Sequence, residues 1–199
     1  SRGLGDVYKR QRENPYLLFF GRLSAEKGVD TLLRAFDAAL PSLPQNMRLV
    51  VVGDGPDAAD FKTLASSLGC AARIEFAGYQ TGGALQAYVE RASLAISSSR
   101  WRENMPYSIV EAFAAGTPVI GTDIGGIPEL VDEWKTGFVC EPGGVQSMAD
   151  AISRGTSAFL DRSAYSMLQR NCRSYVMENC SREKFMNDLV NLYKESIDG

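Results

Sequence analysis

A chain of 199 residues, 45% hydrophobic and 23% charged, is long enough for one sizeable core, short for two, and composed like a soluble globular domain. The formal net charge of -3, with no Lys/Arg block, argues against nucleic acid as a partner. Histidine is absent and the four cysteines (Cys70, Cys140, Cys172, Cys180) form no CxxC pair, which excludes His-based triads and zinc sites.

Scattered cysteines without a signal peptide fit a reducing compartment, so a cytoplasmic location is expected. The longest apolar runs are strand-sized and none is long enough to span a bilayer. Peripheral attachment at the inner face of the membrane, through a part of the protein outside this chain, stays open.

Residues 1–14 are polar, lean basic and lack any period; they read as a linker, an expression remnant or a mis-assembled end rather than as part of the fold. The regular pattern occupies 15–199. Tyr16 to Phe20 is a continuous apolar run, which predicts a strand buried on both faces. Val29, Leu32, Leu33, Phe36 and Leu40 carry a helical period over 28–40. A second strand, Leu49 to Val52, precedes a helix over about 58–68, and a third, Ile74 to Ala77, precedes one around 85–91. A fourth strand, Leu94 to Ile96, leads into a loop and a short apolar helix that ends near Gly116. A fifth, Pro118 to Gly121, a short helix at 127–131 and a sixth strand, Phe138 to Cys140, follow. Beyond Gly144 the chain reads as helix in three segments, broken near Gly155 and Asn179.

Strands alternating with amphipathic helices predict an α/β fold, a three-layer α/β/α Rossmann-like parallel sheet. Ligands of such sheets bind beyond the carboxyl ends of the strands. The loops that carry chemistry here lie at those ends.

Arg22 and Lys27 flank the first such loop, Gly21 to Gly28. Lys27 falls near a helix start, where the dipole disfavours a cation unless an anion is bound. A solvated loop with an ion pair between Lys27 and Glu26 explains the spacing equally well. Gly53-Asp54-Gly55-Pro56-Asp57-Ala58 nearly meets the dinucleotide fingerprint, and Glu75 lies near the offset of a ribose-binding acid. Two aspartates beside a pyrophosphate and the amide lost to Pro56 favour a plain tight turn instead.

The fourth strand leads to Glu103, Asn104, Met105 and Pro106, and then to a helix containing Glu111. From Met105 to Gly121, Glu111 is the only ionisable side chain apart from Tyr107, in a setting where a carboxylate is awkward to bury unpaired. Helical side chains tilt toward their N-terminus, so Glu111 reaches back toward the crevice, where it suits a vicinal diol such as a ribose. The amides near Asn104, Met105 and Tyr107 to Ile109 suit phosphate or sugar oxygens. Pairing of Glu111 with a core arginine and a solvated Glu103 is the competing reading. The loop Thr122 to Glu129 carries paired glycines, which suit either a closely approaching ligand or a sharp turn.

Taken in order, GRLSAEKG, LVVVGDGP, WRENMPYSIVEAFAAGTPVIGTDIGGIPELV and TGFVCEPGG resemble the donor-binding, C-terminal domain of GT-B glycosyltransferases of family 4 (glycosyl transferases group 1). The likeness runs from about Pro15 to the C-terminus, and Glu103 and Glu111 match the family's E-x7-E motif. The resemblance implies the C-terminal half of a GT-B fold and a retaining transfer of sugar from a nucleotide-diphosphate sugar to an acceptor hydroxyl. It implies that Arg22 and Lys27 bind the diphosphate and that Glu111 holds the ribose. It also implies that Glu103, the catalytic candidate, sits beside the donor sugar, with Asn104, Met105 and Pro106 making backbone contacts to sugar and phosphate. Gly78 and Tyr79 resemble the loop near the nucleobase. No metal or other cofactor is implied, and no D-x-D pair occurs. The partners implied are the nucleotide-sugar donor and an acceptor-binding N-terminal domain outside this chain, without which the fragment is expected to transfer little. The ENMPYSIVEA wording points to surface polysaccharide or glycoconjugate synthesis. The last helix, near Phe185 to Ile197, resembles the one that crosses back onto the missing domain. Two readings compete: a non-catalytic nucleotide-sugar-binding module, and a dinucleotide-dependent oxidoreductase built on Gly53 and Gly55.

Overall fold

The computed structural model describes residues 13–180 and residue 184. Six strands form one sheet: β1 (Tyr16–Phe20), β2 (Arg48–Val52), β3 (Ile74–Gly78), β4 (Leu94–Ser97), β5 (Val119–Thr122) and β6 (Gly137–Cys140). Their order is β3-β2-β1-β4-β5-β6, and every pairing is parallel. Strand β1 is central: Leu18 pairs with Val50 on one side and Ala95 on the other. All five of its residues are buried, which is why its sequence is an unbroken apolar run rather than an alternation.

The helices are α1 (Val29–Ala39), α2 (Ala58–Ser67), α3 (Gly82–Arg91), α4 (Tyr107–Ala115), α5 (Ile127–Leu130), α6 (Val145–Leu160) and α7 (Arg162–Asn179). Because strand side chains alternate in direction, two cores form. Leu17, Phe19, Leu49, Val51, Ile96 and Phe138 pack with α1, α2 and α6. Tyr16, Leu18, Phe20, Val50, Ala95 and Val119 pack with α3, α4 and α5. Helix α7 begins on the first core, through Tyr165 and Leu168, and ends on the second, through Cys172 and Tyr175. Burial of each such large side chain is worth about 1.5–3 kcal/mol.

One expected break is misplaced. Helix α6 runs through Gly155 without interruption and ends at Leu160. A Cβ on Gly155 would lie 2.7 Å from Leu94 Cδ1 and 3.3 Å from Phe138 Cδ2, so this glycine lets the helix approach the sheet closely. The true break is Asp161, whose carboxylate accepts the Ser163 and Ala164 amides and starts α7. The expected crossing helix at 185–197 lies outside the described residues. Among the described residues, no helix is long and apolar enough to cross a membrane.

The chain leaves β1 toward β2 on one side and returns to β4 on the other. The carboxyl ends of β1 and β4 therefore border the switch point, where an open α/β sheet leaves a crevice.

Candidate functional site

Backbone bonds between loops build this crevice. The Gly21 amide donates to Val52 O, the Leu23 amide to Asp54 O and the Asp57 amide to Leu23 O, so the loops after β1 and β2 are fused. A Cβ on Gly53 would lie 1.8 Å from Gly21 O, and one on Gly55 would lie 2.3 Å from Leu23 O. Those two glycines are thus filled by protein backbone rather than left open to a pyrophosphate. Asp57 is also committed, because its Oδ2 accepts the Ala25 amide at 2.7 Å. Glu75 stands near the amino end of β3, paired with Arg48 at 2.8 Å, away from the crevice. The dinucleotide fingerprint is a chance likeness in a tight turn.

The loop after β4 carries the β1 loop. Ser98 Oγ donates to Lys27 O at 2.7 Å, the Arg100 amide donates to Glu26 O at 2.8 Å, and Arg100 Nη2 donates to Asp30 Oδ2 at 2.6 Å and to Thr31 Oγ1. Gly28 has φ of 65°, and a Cβ there would lie 2.1 Å from Ser98 O. These contacts aim Lys27 across the crevice, where its Nζ bonds Glu103 Oε1 at 2.9 Å. Glu26, the partner in the competing reading, instead accepts a hydrogen bond from Ser24 Oγ at 2.6 Å. The Lys27 and Glu103 side chains are 30% and 19% exposed, so the pair is half out of water.

Glu103 is positioned through its backbone. The Gly126 amide donates to Glu103 O at 2.7 Å, and a Cβ on Gly126 would lie 2.1 Å from Asn104 O. The paired glycines after β5 therefore receive the Glu103–Asn104 backbone. Helix α4 begins at Tyr107 with Pro106 at its N-cap and no side-chain cap. The Ile109 amide donates to Pro106 O, which leaves the Tyr107 and Ser108 amides as the first-turn donors.

Phe20, Gly21, Lys27, Ser97 to Ser99, Glu103, Met105, Pro106, Tyr107 and Ser108 enclose a cleft of about 280 Å³. Of the residues singled out in the sequence, Lys27, Glu103, Met105 and Pro106 meet there. Arg22 and Asn104 are exposed beside the lining rather than part of it. Gly78, with φ of 69°, ends β3, and Tyr79, 74% exposed, begins the loop beyond it. Ser97, Ser98 and Ser99 went unnoticed in the sequence; the run of three serines ending an apolar strand was the available signal.

Glu111 corrects an expectation. It is exposed rather than buried, because α4 turns Ile109, Ala112 and Phe113 to the sheet and Tyr107, Glu111 and Ala114 to the outside. It borders a separate hollow of about 380 Å³ with Gly82, Leu85 and Gln86 of α3. The apolar setting around it in the sequence is therefore not a buried one.

A family model described as "Glycosyl transferases group 1" matches residues 6–171. The chain belongs to the glycosyl transferases group 1 family. An uncharacterized glycosyltransferase of Methanocaldococcus jannaschii is 29% identical over 94% of this chain and 47% of its own length. A GDP-mannose-dependent alpha-(1-6)-phosphatidylinositol monomannoside mannosyltransferase of Mycobacterium tuberculosis is 35% identical over 74% of the chain and 40% of its own length. The chain thus spans less than half the length of these relatives. Among solved structures, the Anabaena protein HepE, crystallised with UDP, superposes with a TM-score of 0.79 at 22% identity, over 97% of this chain and 53% of its own. The fold is the Rossmann-like α/β domain of GT-B glycosyltransferases.

Proposed function

We propose that this domain binds a nucleotide-diphosphate sugar across the β1/β4 crevice and serves as the donor half of a retaining glycosyltransferase. The observation that carries this reading is the Lys27 ammonium held across the cleft from the uncapped start of α4. A cation and helix amides converging on one cleft suit a diphosphate. Lys27, with Arg22 from the loop rim, would stabilise the charge that develops on the departing nucleoside diphosphate; one such contact is typically worth 10²-fold or more, to order of magnitude. Asn104, Met105 and Pro106 carry the backbone that meets sugar and phosphate. Glu111 takes the ribose on the outer face of α4, and the Gly78–Tyr79 loop lies toward the base. No metal enters this scheme, because the cations and amides supply the counter-charge.

Glu103 is assigned donor positioning. A carboxylate bonded to an ammonium at 2.9 Å is a weak nucleophile, so a same-face displacement fits better than a covalent intermediate. The acceptor oxygen bonds to the anomeric carbon, the bond from that carbon to the diphosphate oxygen breaks, and the departing diphosphate takes the electron pair and the acceptor proton.

UDP in the HepE crystal and GDP-mannose in the name of the mycobacterial relative favour a nucleotide-sugar donor over a dinucleotide. The same relative's lipid acceptor fits a place in glycoconjugate or surface-polysaccharide synthesis, in the cytoplasm at the inner membrane face. Calorimetric titration of the chain with UDP, GDP, ADP and NADH is the test. One nucleoside diphosphate is expected to bind, with NADH silent; NADH binding alone would end the transferase reading. Since relatives are about twice as long, the chain alone is expected to transfer little, and joining it to its upstream half to restore transfer. A joined protein that binds donor and still transfers nothing would favour a non-catalytic module.

A further inference from the structure

The Lys27–Glu103 pair has a second side. Glu26, Lys27, Trp101 and Glu103 line an open hollow of about 410 Å³, which shares only Lys27 and Glu103 with the crevice. That volume falls within the usual range for small-molecule sites, about 300–1,000 Å³.

Trp101 is 69% exposed, a large indole surface left in water. Its backbone is nonetheless held. The Trp101 amide donates to Ser99 Oγ at 3.2 Å, and the same hydroxyl lies 3.1 Å from the Trp101 carbonyl. Ser99 itself is 2% exposed and sits beneath Thr122, whose Oγ1 donates to Ser99 O at 2.7 Å. On the other wall, the Ser24 hydroxyl bonded to Glu26, with Arg22 and Lys27 nearby, holds the Glu26 carboxyl below the usual carboxylate range. The hollow thus combines one flat apolar face with carboxylate acceptors and one ammonium.

A pyranose presents a flat apolar C–H face and a rim of hydroxyls, which match an indole face and carboxylate oxygens respectively. Phosphate does not match, because Glu26 adds a second carboxylate beside the Lys27–Glu103 pair and leaves the hollow net negative. We propose that this hollow is a carbohydrate subsite separate from the nucleotide crevice, with Trp101 as stacking platform and Glu26 as hydroxyl acceptor. A sugar ring seated there lies across the Lys27–Glu103 pair from the nucleotide crevice. The assignment rests on the donor reading of the crevice, and the experiment separates the two.

The chain contains two tryptophans, and Trp134 lies at the amino end of β6, remote from this hollow. The ¹⁵N-labelled chain is titrated with methyl α-D-glucopyranoside, methyl α-D-mannopyranoside and maltose, with and without saturating UDP or GDP. At least one glycoside is expected to shift the Trp101 indole N–H signal saturably while that of Trp134 stays still. Saturation transfer to the same glycoside should show binding weakened about three- to tenfold in Trp101→Ala and kept in Trp101→Phe. Neither variant should change nucleotide affinity. The subsite is overturned if no glycoside moves the Trp101 signal, if both indole signals move together, or if Trp101→Ala weakens nucleotide as much as glycoside. Nucleotide failing to bind the unmodified chain would instead strike the donor reading, and the glycoside titration would still decide the subsite.

Discussion

Lys27 and Glu103 are 76 residues apart in the chain and 2.9 Å apart in space. In the free domain each neutralises the other, so a bound diphosphate must share the ammonium with the carboxylate. Replacing Arg22 and Lys27 together by Ala is expected to weaken nucleoside diphosphate by about 10²-fold and the matching nucleoside hardly at all. Equal losses in calorimetry would place the cations away from the phosphates. Glu111 makes the complementary case. Because it is exposed, Glu111→Gln removes no buried contact, so the urea midpoint should stay unchanged. Nucleotide and nucleoside should lose affinity in the same proportion, about tenfold, since both contain the ribose. Undiminished affinity would remove Glu111 from the sugar.

Among the elements, α4 and α7 differ in how their starts are satisfied. The first turn of α4 has no side-chain cap and faces the crevice, whereas that of α7 is closed by Asp161. The cap also pulls the Asp161 carboxyl below its usual range, chiefly through the Ser163 hydroxyl and then the Ala164 and Ser163 amides. A lowered folded-state value means the contribution is present above the unfolded carboxylate range and is lost as pH falls through the folded value. Asp161→Ala should therefore lower the urea midpoint at neutral pH, and the gap between variant and parent should close in acid. A gap that persists undiminished in acid would assign the effect to something other than the charged cap. Loop packing works at the same scale. Gly126 seats the Glu103–Asn104 backbone, so the shape of the crevice depends on β5 as much as on β4.

At the level of the whole molecule, burial of three thiols ties both cores to pH. Burial pushes Cys70, Cys140 and Cys172 up to about 12 from an ordinary 9.0. Groups raised in the folded state hold more protons there, so their contribution is full below the unfolded value of 9.0 and fades as pH rises toward about 12. Tyr16, raised by burial, adds to the same loss at higher pH. The urea midpoint is expected to fall steadily above about pH 9, and less steeply in Cys172→Ala. A midpoint flat across that range would mean the thiols ionise without unfolding the chain.

The hydrophobic pattern by itself determined the six strands, their parallel α/β arrangement and the carboxyl-end loops that border the crevice. It suffices for these because burial of β1 on both faces and of one stripe per helix is written locally, at periods the chain cannot hide. The motif order also placed Lys27, Glu103, Met105 and Pro106 among the candidates that meet in the crevice. Local pattern misled where one residue type serves two purposes. Gly155 reads as a helix breaker and proves to be a contact with the sheet, while Glu111 reads as a buried charge and proves to be the outer face of an alanine-rich helix. Only the tertiary structure decided that Lys27 pairs with Glu103 rather than with Glu26, that Gly53 and Gly55 are packed under the β1 loop, and that Trp101 stands beside the ion pair. Each depends on which loops the strand order β2-β1-β4 brings side by side, and charge pairing across such distances leaves no period in the chain.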